Sequence, residues 1–137
     1  MDCIFCDIIE KKESAEILYE NERIISFLDI RPVNYGHTLV IPKTHYENFL
    51  SVPQQDLAAL IEATQMLSSA IVKSLAPDGF NIVVNNGIAA GQSIFHFHFH
   101  IIPRFQSDDF KFRPNLKTYG DGTMKEFAEK IRLAVTS

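Results

Sequence analysis

The chain has 137 residues, 46% of them hydrophobic and 22% charged, which describes one packed domain over residues 1–137 and excludes disorder for most of its length. Its 13 basic and 17 acidic residues give a net charge of −4 with the histidines neutral. No nucleic acid and no membrane is therefore expected as a partner, because phosphate backbones and anionic surfaces are held by clustered Lys and Arg.

In chain order, Met1-Asp2-Cys3-Ile4-Phe5-Cys6 has neither the basic start nor the long apolar stretch of a secretion signal, so a cytoplasmic location is expected. Cys3 and Cys6 are too close to staple a fold and read as metal-binding or redox-active. Cys3 to Glu10 predicts a short helical turn with Ile4, Phe5, Ile8 and Ile9 toward the core. Ile17 to Tyr19 and Ile24 to Asp29 flank the polar turn Glu20-Asn21-Glu22 and predict a hairpin. His37 to Ile41 predicts a third strand, closed by Pro42. From Pro53 to Leu75, the residues Leu57, Leu60, Ile61, Thr64, Leu67, Ile71 and Leu75 form one stripe at helical spacing. Ser51 and Gln54 suggest a capping box at its start, and Ala76 to Gly79 ends it. Phe80 to Val84 and Ile94 to Ile102 predict two further strands around a glycine-containing loop. Gln106 to Gly122 has no clear period, and Met124, Phe127, Ile131 and Ala134 predict a short C-terminal helix. Five strands with segregated helices make an α+β fold with an antiparallel sheet. The uncharged run from Gly79 to Pro103 is no membrane span, since it carries Asn81, Asn85, Asn86, Gln92, Ser93 and three histidines.

Those histidines carry the chemistry. In Ser93-Ile94-Phe95-His96-Phe97-His98-Phe99-His100-Ile101-Ile102-Pro103, strand alternation puts Phe95, Phe97, Phe99 and Ile101 on a core face and His96, His98 and His100 on the other, roughly 7 Å apart. No packing requirement asks for three imidazoles in a row. Two chemistries use them: ligation of a metal ion, or attack of a neutral imidazole on phosphorus to give a phosphoramidate intermediate. For the second, the middle ring must donate its other nitrogen's proton to an acceptor, so that the attacking nitrogen keeps its lone pair.

The His-Phe-His-Phe-His-Ile-Ile run resembles the pattern of the histidine-triad (HIT) family. So do the lead-in Asn85 to Ser93, Phe27-Leu28-Asp29-Ile30, Gly36-His37-Thr38-Leu39-Val40-Ile41-Pro42 and Lys43-Thr44-His45. The resemblance runs from Cys3 to about Arg104 and is strongest to small bacterial-type, Hint-like members with an N-terminal C-x-x-C, leaving 105–137 as a C-terminal extension. It implies a HIT-like fold, a homodimer whose two five-stranded sheets join, and binding of a purine nucleotide. It also implies cleavage at the α-phosphate of phosphoramidates, acyl-adenylates or dinucleoside polyphosphates, with release of a nucleoside monophosphate. Residue by residue, it implies His98 as the nucleophile, His100 and His37 as supporting histidines, and Ser93 and Gln92 near the leaving group and phosphate. Asn85 falls near the phosphate, Asp29 at the ribose, and Phe5, Ile8, Phe27 and Leu28 around the base. The bottom-up chemistry agrees: such transfer needs positioning and hydrogen-bond donors on the phosphate oxygens. Asp29 could equally be an ordinary strand-end carboxylate, and Gln92 and Ser93 ordinary loop residues. Finally, the resemblance implies a structural zinc on Cys3, Cys6, His45 and His96, with no catalytic metal; an empty thiol pair or a redox pair are the other readings of Cys3 and Cys6.

Overall fold

The computed structural model describes residues 2–111 and 113–135; Met1, Thr136 and Ser137 at the ends of the expected domain, and Phe112 within the irregular stretch, lie outside the described residues. The elements are α1 (Ile4–Ile9), β1 (Ile17–Glu20), β2 (Ile24–Leu28), β3 (Thr38–Pro42), α2 (Gln54–Leu75), β4 (Gly79–Val83), β5 (Phe99–Arg104) and α3 (Thr123–Val135), with short 3₁₀ turns at Phe49–Ser51 and Ile88–Ala90. The strands form one antiparallel sheet in the order β1-β2-β3-β5-β4.

The sheet is covered on both faces, so β2 and β3 are buried along nearly their whole length. Ile24, Val40, Phe99 and Ile101 point to α2 and meet Leu60, Ala63, Leu67 and Ile71. Ile25, Phe27, Leu39 and Ile41 point the other way and meet Phe5 and Ile8 of α1. Because Phe99 and Ile101 face α2, the pleat turns His98 and His100 toward α1. That is what places the histidines beside Phe5.

Several expectations change in detail. The strand expected from Ile94 begins only at Phe99, because the Phe97 N–H donates to the Tyr46 carbonyl rather than to a neighbouring strand. Phe95 is consequently 37% exposed and outside the core, while Phe97 is 1% exposed. At its other end β5 runs through Pro103 to Arg104. Its register with β3 stops at Ile101, so Pro103 is not asked for a ladder N–H on that side. Ser51 does not cap α2; its hydroxyl donates to the Asn48 carbonyl within the preceding 3₁₀ turn, and Pro53 takes the cap position. On α2 the buried stripe includes Asp56, Ala63 and Ser68, while Ile61 and Leu75 lie outside it and are exposed. Asp56 is tolerated there because Arg23 and Tyr46 both donate to it. On α1, Ile4 is also exposed, at the rim of a cavity, and Ile9 is only partly buried. Helix α3 forms as expected, with none of its residues buried.

Candidate active site on the histidine face

The three triad histidines divide into two sites. His98 Nδ1 lies 2.7 Å from the His96 carbonyl oxygen. A carbonyl only accepts, so Nδ1 carries the proton and the neutral ring has its lone pair on Nε2. Burial lowers the His98 pKa, against opposing help from the His96 carbonyl and Asp29, and so favours that neutral ring. The ring is wedged between Phe5 and His100, with centroids 5.1 and 4.8 Å away.

His100 is set by a relay. The backbone N–H of Val33 donates to His37 Nδ1 at 3.0 Å, which fixes the His37 proton on Nε2. That nitrogen lies 2.9 Å from His100 Nδ1 and donates to it. His100 therefore carries its own proton on Nε2, as a donor. Burial, with His98 and His37 nearby, pushes the His100 pKa down to about 4, and burial also lowers that of His37. One ring thus offers a lone pair and its neighbour an N–H.

Both rings line a cavity of about 570 Å³ with Ile4, Phe5, Ile8, Phe27, Leu28, Asp29 and Ser93. Its floor is apolar because α1 and the α1 face of the sheet meet there. Asp29 stands at the end of β2, where its N–H donates to the His37 carbonyl and its Oδ1 accepts the Arg31 N–H, leaving Oδ2 3.7 Å from His37 Nε2. Glu13, Ser14 and Ala15 also line the cavity and were not read from the sequence. The Leu28 N–H donates to the Glu16 carbonyl, one step beyond the β1–β2 register, which carries residues 13–15 alongside Asp29, and no local sequence pattern marks this.

Of the residues expected at the catalytic and nucleotide site, His37, Asn85 and Gln92 do not line this cavity; His37 is buried behind His100. The Gln92 side chain is buried, accepts from the Gly87 N–H and donates to the Glu47 and Ile94 carbonyls, so its amide is spent on holding the loop. Asn85 lies against Gly91 in the same loop.

His96 belongs to a different group. Its Nε2 donates to the Pro42 carbonyl at 2.8 Å, which keeps the proton on Nε2 and leaves Nδ1 free to ligate. Nδ1 is 3.4 Å from Cys3 Sγ, 3.6 Å from Cys6 Sγ and 3.1 Å from His45 Nδ1, while Cys6 Sγ is 3.4 Å from His45 Nδ1. A tetrahedron with Zn–S of about 2.3 Å and Zn–N of about 2.0 Å has S···N edges of roughly 3.5 Å. The donor set and spacing fit zinc. Burial and the adjacent Cys3 push the Cys6 thiol up to about 11, so an ion must displace its proton to bind. Asp29, His37 and His100 also bring ligand atoms within 4.8 Å of one another. An ion on His37 Nε2, however, would leave that ring without a proton on either nitrogen, since Nδ1 already accepts from Val33. The relay and such an ion exclude each other.

The HIT domain family model matches residues 10–107. The adenylylsulfatase HINT3 of Arabidopsis thaliana is 46% identical over 107 residues, 78% of this chain and 54% of that protein. A crystal structure of a HIT-family protein from Bacillus subtilis superposes with a TM-score of 0.90 at 38% identity, covering 96% of each chain. A zinc-bound histidine triad family protein from Mycobacterium smegmatis superposes with a TM-score of 0.76 at 36% identity, covering 98% of each chain.

Proposed function

This chain belongs to the HIT domain family, and from that premise we propose that it is a nucleotide hydrolase or nucleotidyltransferase working through a covalent nucleotidyl-His98. Its substrates are purine nucleoside phosphoramidates, acyl-adenylates or dinucleoside polyphosphates, and its product is a nucleoside monophosphate. The observation that carries this reading is the opposed polarity of neighbouring rings: His98 presents a lone pair and His100 an N–H at one cavity wall.

His98 Nε2 attacks the α-phosphorus, the bond to the leaving group breaks, and the His96 carbonyl stays on Nδ1–H to steady the ring as it becomes cationic. His100 Nε2–H binds a non-bridging oxygen; loss of one such donor typically costs 10²–10³ in rate. Ser93 passes its hydroxyl proton to the departing atom. Water then attacks phosphorus, the bond from phosphorus to His98 Nε2 breaks, a proton from that water restores the Ser93 hydroxyl, and His98 returns to its neutral state. The base rests on Phe5, Ile8, Phe27 and Leu28, and Asp29 Oδ2 accepts from the ribose hydroxyls. Asn85 bears on the phosphate side of the loop, and Gln92 serves by shaping it. Cys3, Cys6, His45 and His96 would hold a structural zinc, which supplies no Lewis acid because all four positions are protein donors. The zinc-bound relative and the donor geometry support it.

The working unit is a homodimer through the β4 edge, where Phe80 and Ile82 are exposed beside Ile61 and Val72 of α2. No described helix is long and apolar enough to cross a membrane. The test is turnover of adenosine 5′-phosphoramidate followed by phosphorus NMR: AMP accumulates with the wild type and not with His98→Ala. Equal AMP from the variant overturns the reading.

A further inference from the structure

Outside the cavity, one half-buried polar cluster has no part in the chemistry so far. It sits where β5 ends and the C-terminal extension begins. The Asp108 carboxylate, 7% exposed, takes both arms of Arg104: Nε donates to Oδ2 and Nη2 to Oδ1, each at 2.9 Å. Oδ2 also accepts the Phe105 N–H at 2.9 Å and the Asn34 side-chain amide at 3.0 Å. The other contact of that amide is the Pro103 carbonyl at 2.8 Å. The Arg104 guanidinium, helped by the Phe105 N–H, holds the Asp108 carboxyl well below the usual carboxylate range. Arg104 also stacks on Phe110, 4.7 Å from the ring centroid.

Asn34 is the first residue of the turn that delivers His37. Its carbonyl accepts the His37 N–H at 3.0 Å, and the residue before it, Val33, supplies the N–H on His37 Nδ1. The path is thus continuous: Asp108 to Asn34, the turn to His37, His37 to His100. Each link is a bond in which one partner can only donate or only accept, apart from the two histidines, whose roles follow from Val33.

We propose that Asp108 and Asn34 are positioning residues that dictate which nitrogen of His100 carries its proton. With the clamp in place, Val33 holds the proton off His37 Nδ1, His37 donates from Nε2, and His100 keeps its N–H on Nε2 for the phosphate. Without it the turn loses its tie to the end of β5 and keeps its own backbone bond, the Thr38 hydroxyl on the Gly36 carbonyl and the Asp29 N–H on the His37 carbonyl. His37 is then free to hold its proton on Nδ1, and His100 loses the donor that fixed its tautomer. The groups facing His37 are Asp29 at the end of β2 and His98 and His100 on the histidine row; none of them replaces the Val33 N–H. The extension after Arg104 thereby acts on catalysis from outside the cavity.

This inference rests on the nucleotidyl-histidine reading for its catalytic consequence, but not for its structural one. Long-range ¹H–¹⁵N spectra of the ligand-free protein therefore come first. The wild type is expected to show unprotonated Nδ1 and protonated Nε2 on both His37 and His100. Asn34→Ala and Asp108→Ala are expected to put His100 into exchange between tautomers, with the His98 signals unchanged. With adenosine 5′-phosphoramidate, kcat should fall about 10-fold or more and KM stay within about 2-fold, as for a contact made mainly in the transition state. Asp108→Asn, which keeps an acceptor for Asn34, should recover part of the loss. Wild-type tautomers in both alanine variants would overturn the proposal, whether or not turnover falls. Altered tautomers with wild-type kcat would overturn its catalytic half. If the wild type turns nothing over, the nucleotidyl-histidine reading fails while the spectra still decide the clamp.

Discussion

Gly36 gives a prediction whose size can be worked from the structure. It is the third residue of the Asn34–His37 turn and has φ +94°, a region that L side chains avoid. An alanine there carries a backbone cost of about 1–2 kcal/mol. Its Cβ would also strike Leu75 Cδ1 and lie 3.4 Å from Pro103 Cγ. Leu75 is the last residue of α2 and 44% exposed, so it can swing aside, adding roughly 1 kcal/mol of lost packing rather than a full core clash. Gly36→Ala is thus expected to destabilise by about 2–3 kcal/mol, a drop in Tm of roughly 6–12 °C for a chain this size. Urea titration of wild type, Gly36→Ala, Leu75→Ala and the double variant separates the two parts. The double variant should recover about 1 kcal/mol relative to the sum of the singles, and the backbone cost should remain. A Gly36→Ala protein as stable as wild type, or one fully restored by Leu75→Ala, would refute the reasoning about φ.

Other outcomes follow from packing, ligation and charge. Phe97→Ala should cost about 3–5 kcal/mol in chemical denaturation, whereas Phe95→Ala should cost less than about 1.5, because only Phe97 is buried; similar losses would show that Phe95 belongs to the core after all. His96→Ala should lower both bound zinc, by atomic absorption, and Tm, while wild-type zinc in that variant would break the four-ligand assignment. In zinc-free protein, stability should decline as pH falls from about 6.5 to about 4. Burial holds His96 and His100 at about 4 and lowers His37 and His98, so the unfolded chain binds more protons in that window. His100 alone contributes a slope of about 1.4 kcal/mol per pH unit there, with its full stabilisation present above 6.5. A urea midpoint that stays flat from pH 7.5 to 4.5 would contradict it.

The hairpin, the third strand and the long helix were legible because their apolar periodicity coincides with local turn signals such as Asn21 and Ala76 to Gly79. The histidine row was legible as chemistry, since alternation alone separates Phe97 and Phe99 from His98 and His100. What alternation could not show is that the segment before Phe99 leaves the sheet. That depends on Tyr46, 51 residues earlier, offering its carbonyl to Phe97. The Ser51 cap failed for a related reason: Ser51 closes the 3₁₀ turn that Asn48 begins, with its hydroxyl donating back to the Asn48 carbonyl, and Pro53 stands at the helix start. At the site, the His98 acceptor was expected as a type of group, but its identity as the His96 carbonyl is a matter of backbone geometry. The relay from Val33 through His37 to His100 and the clamp at Asp108 join the turn before β3, strand β5 and the extension after it, and no local pattern marks them.

The whole mechanism turns on a covalent bond between His98 and a nucleotide. Rapid mixing with adenosine 5′-phosphoramidate, acid-free quenching and intact-protein mass spectrometry tests it most directly, because the phosphorus–nitrogen bond is acid-labile. The account predicts a transient species heavier by one AMP moiety, located on His98 by peptide mapping and absent from His98→Ala. Sustained AMP release with no such species at any time point, and with His98→Ala still active, would contradict it.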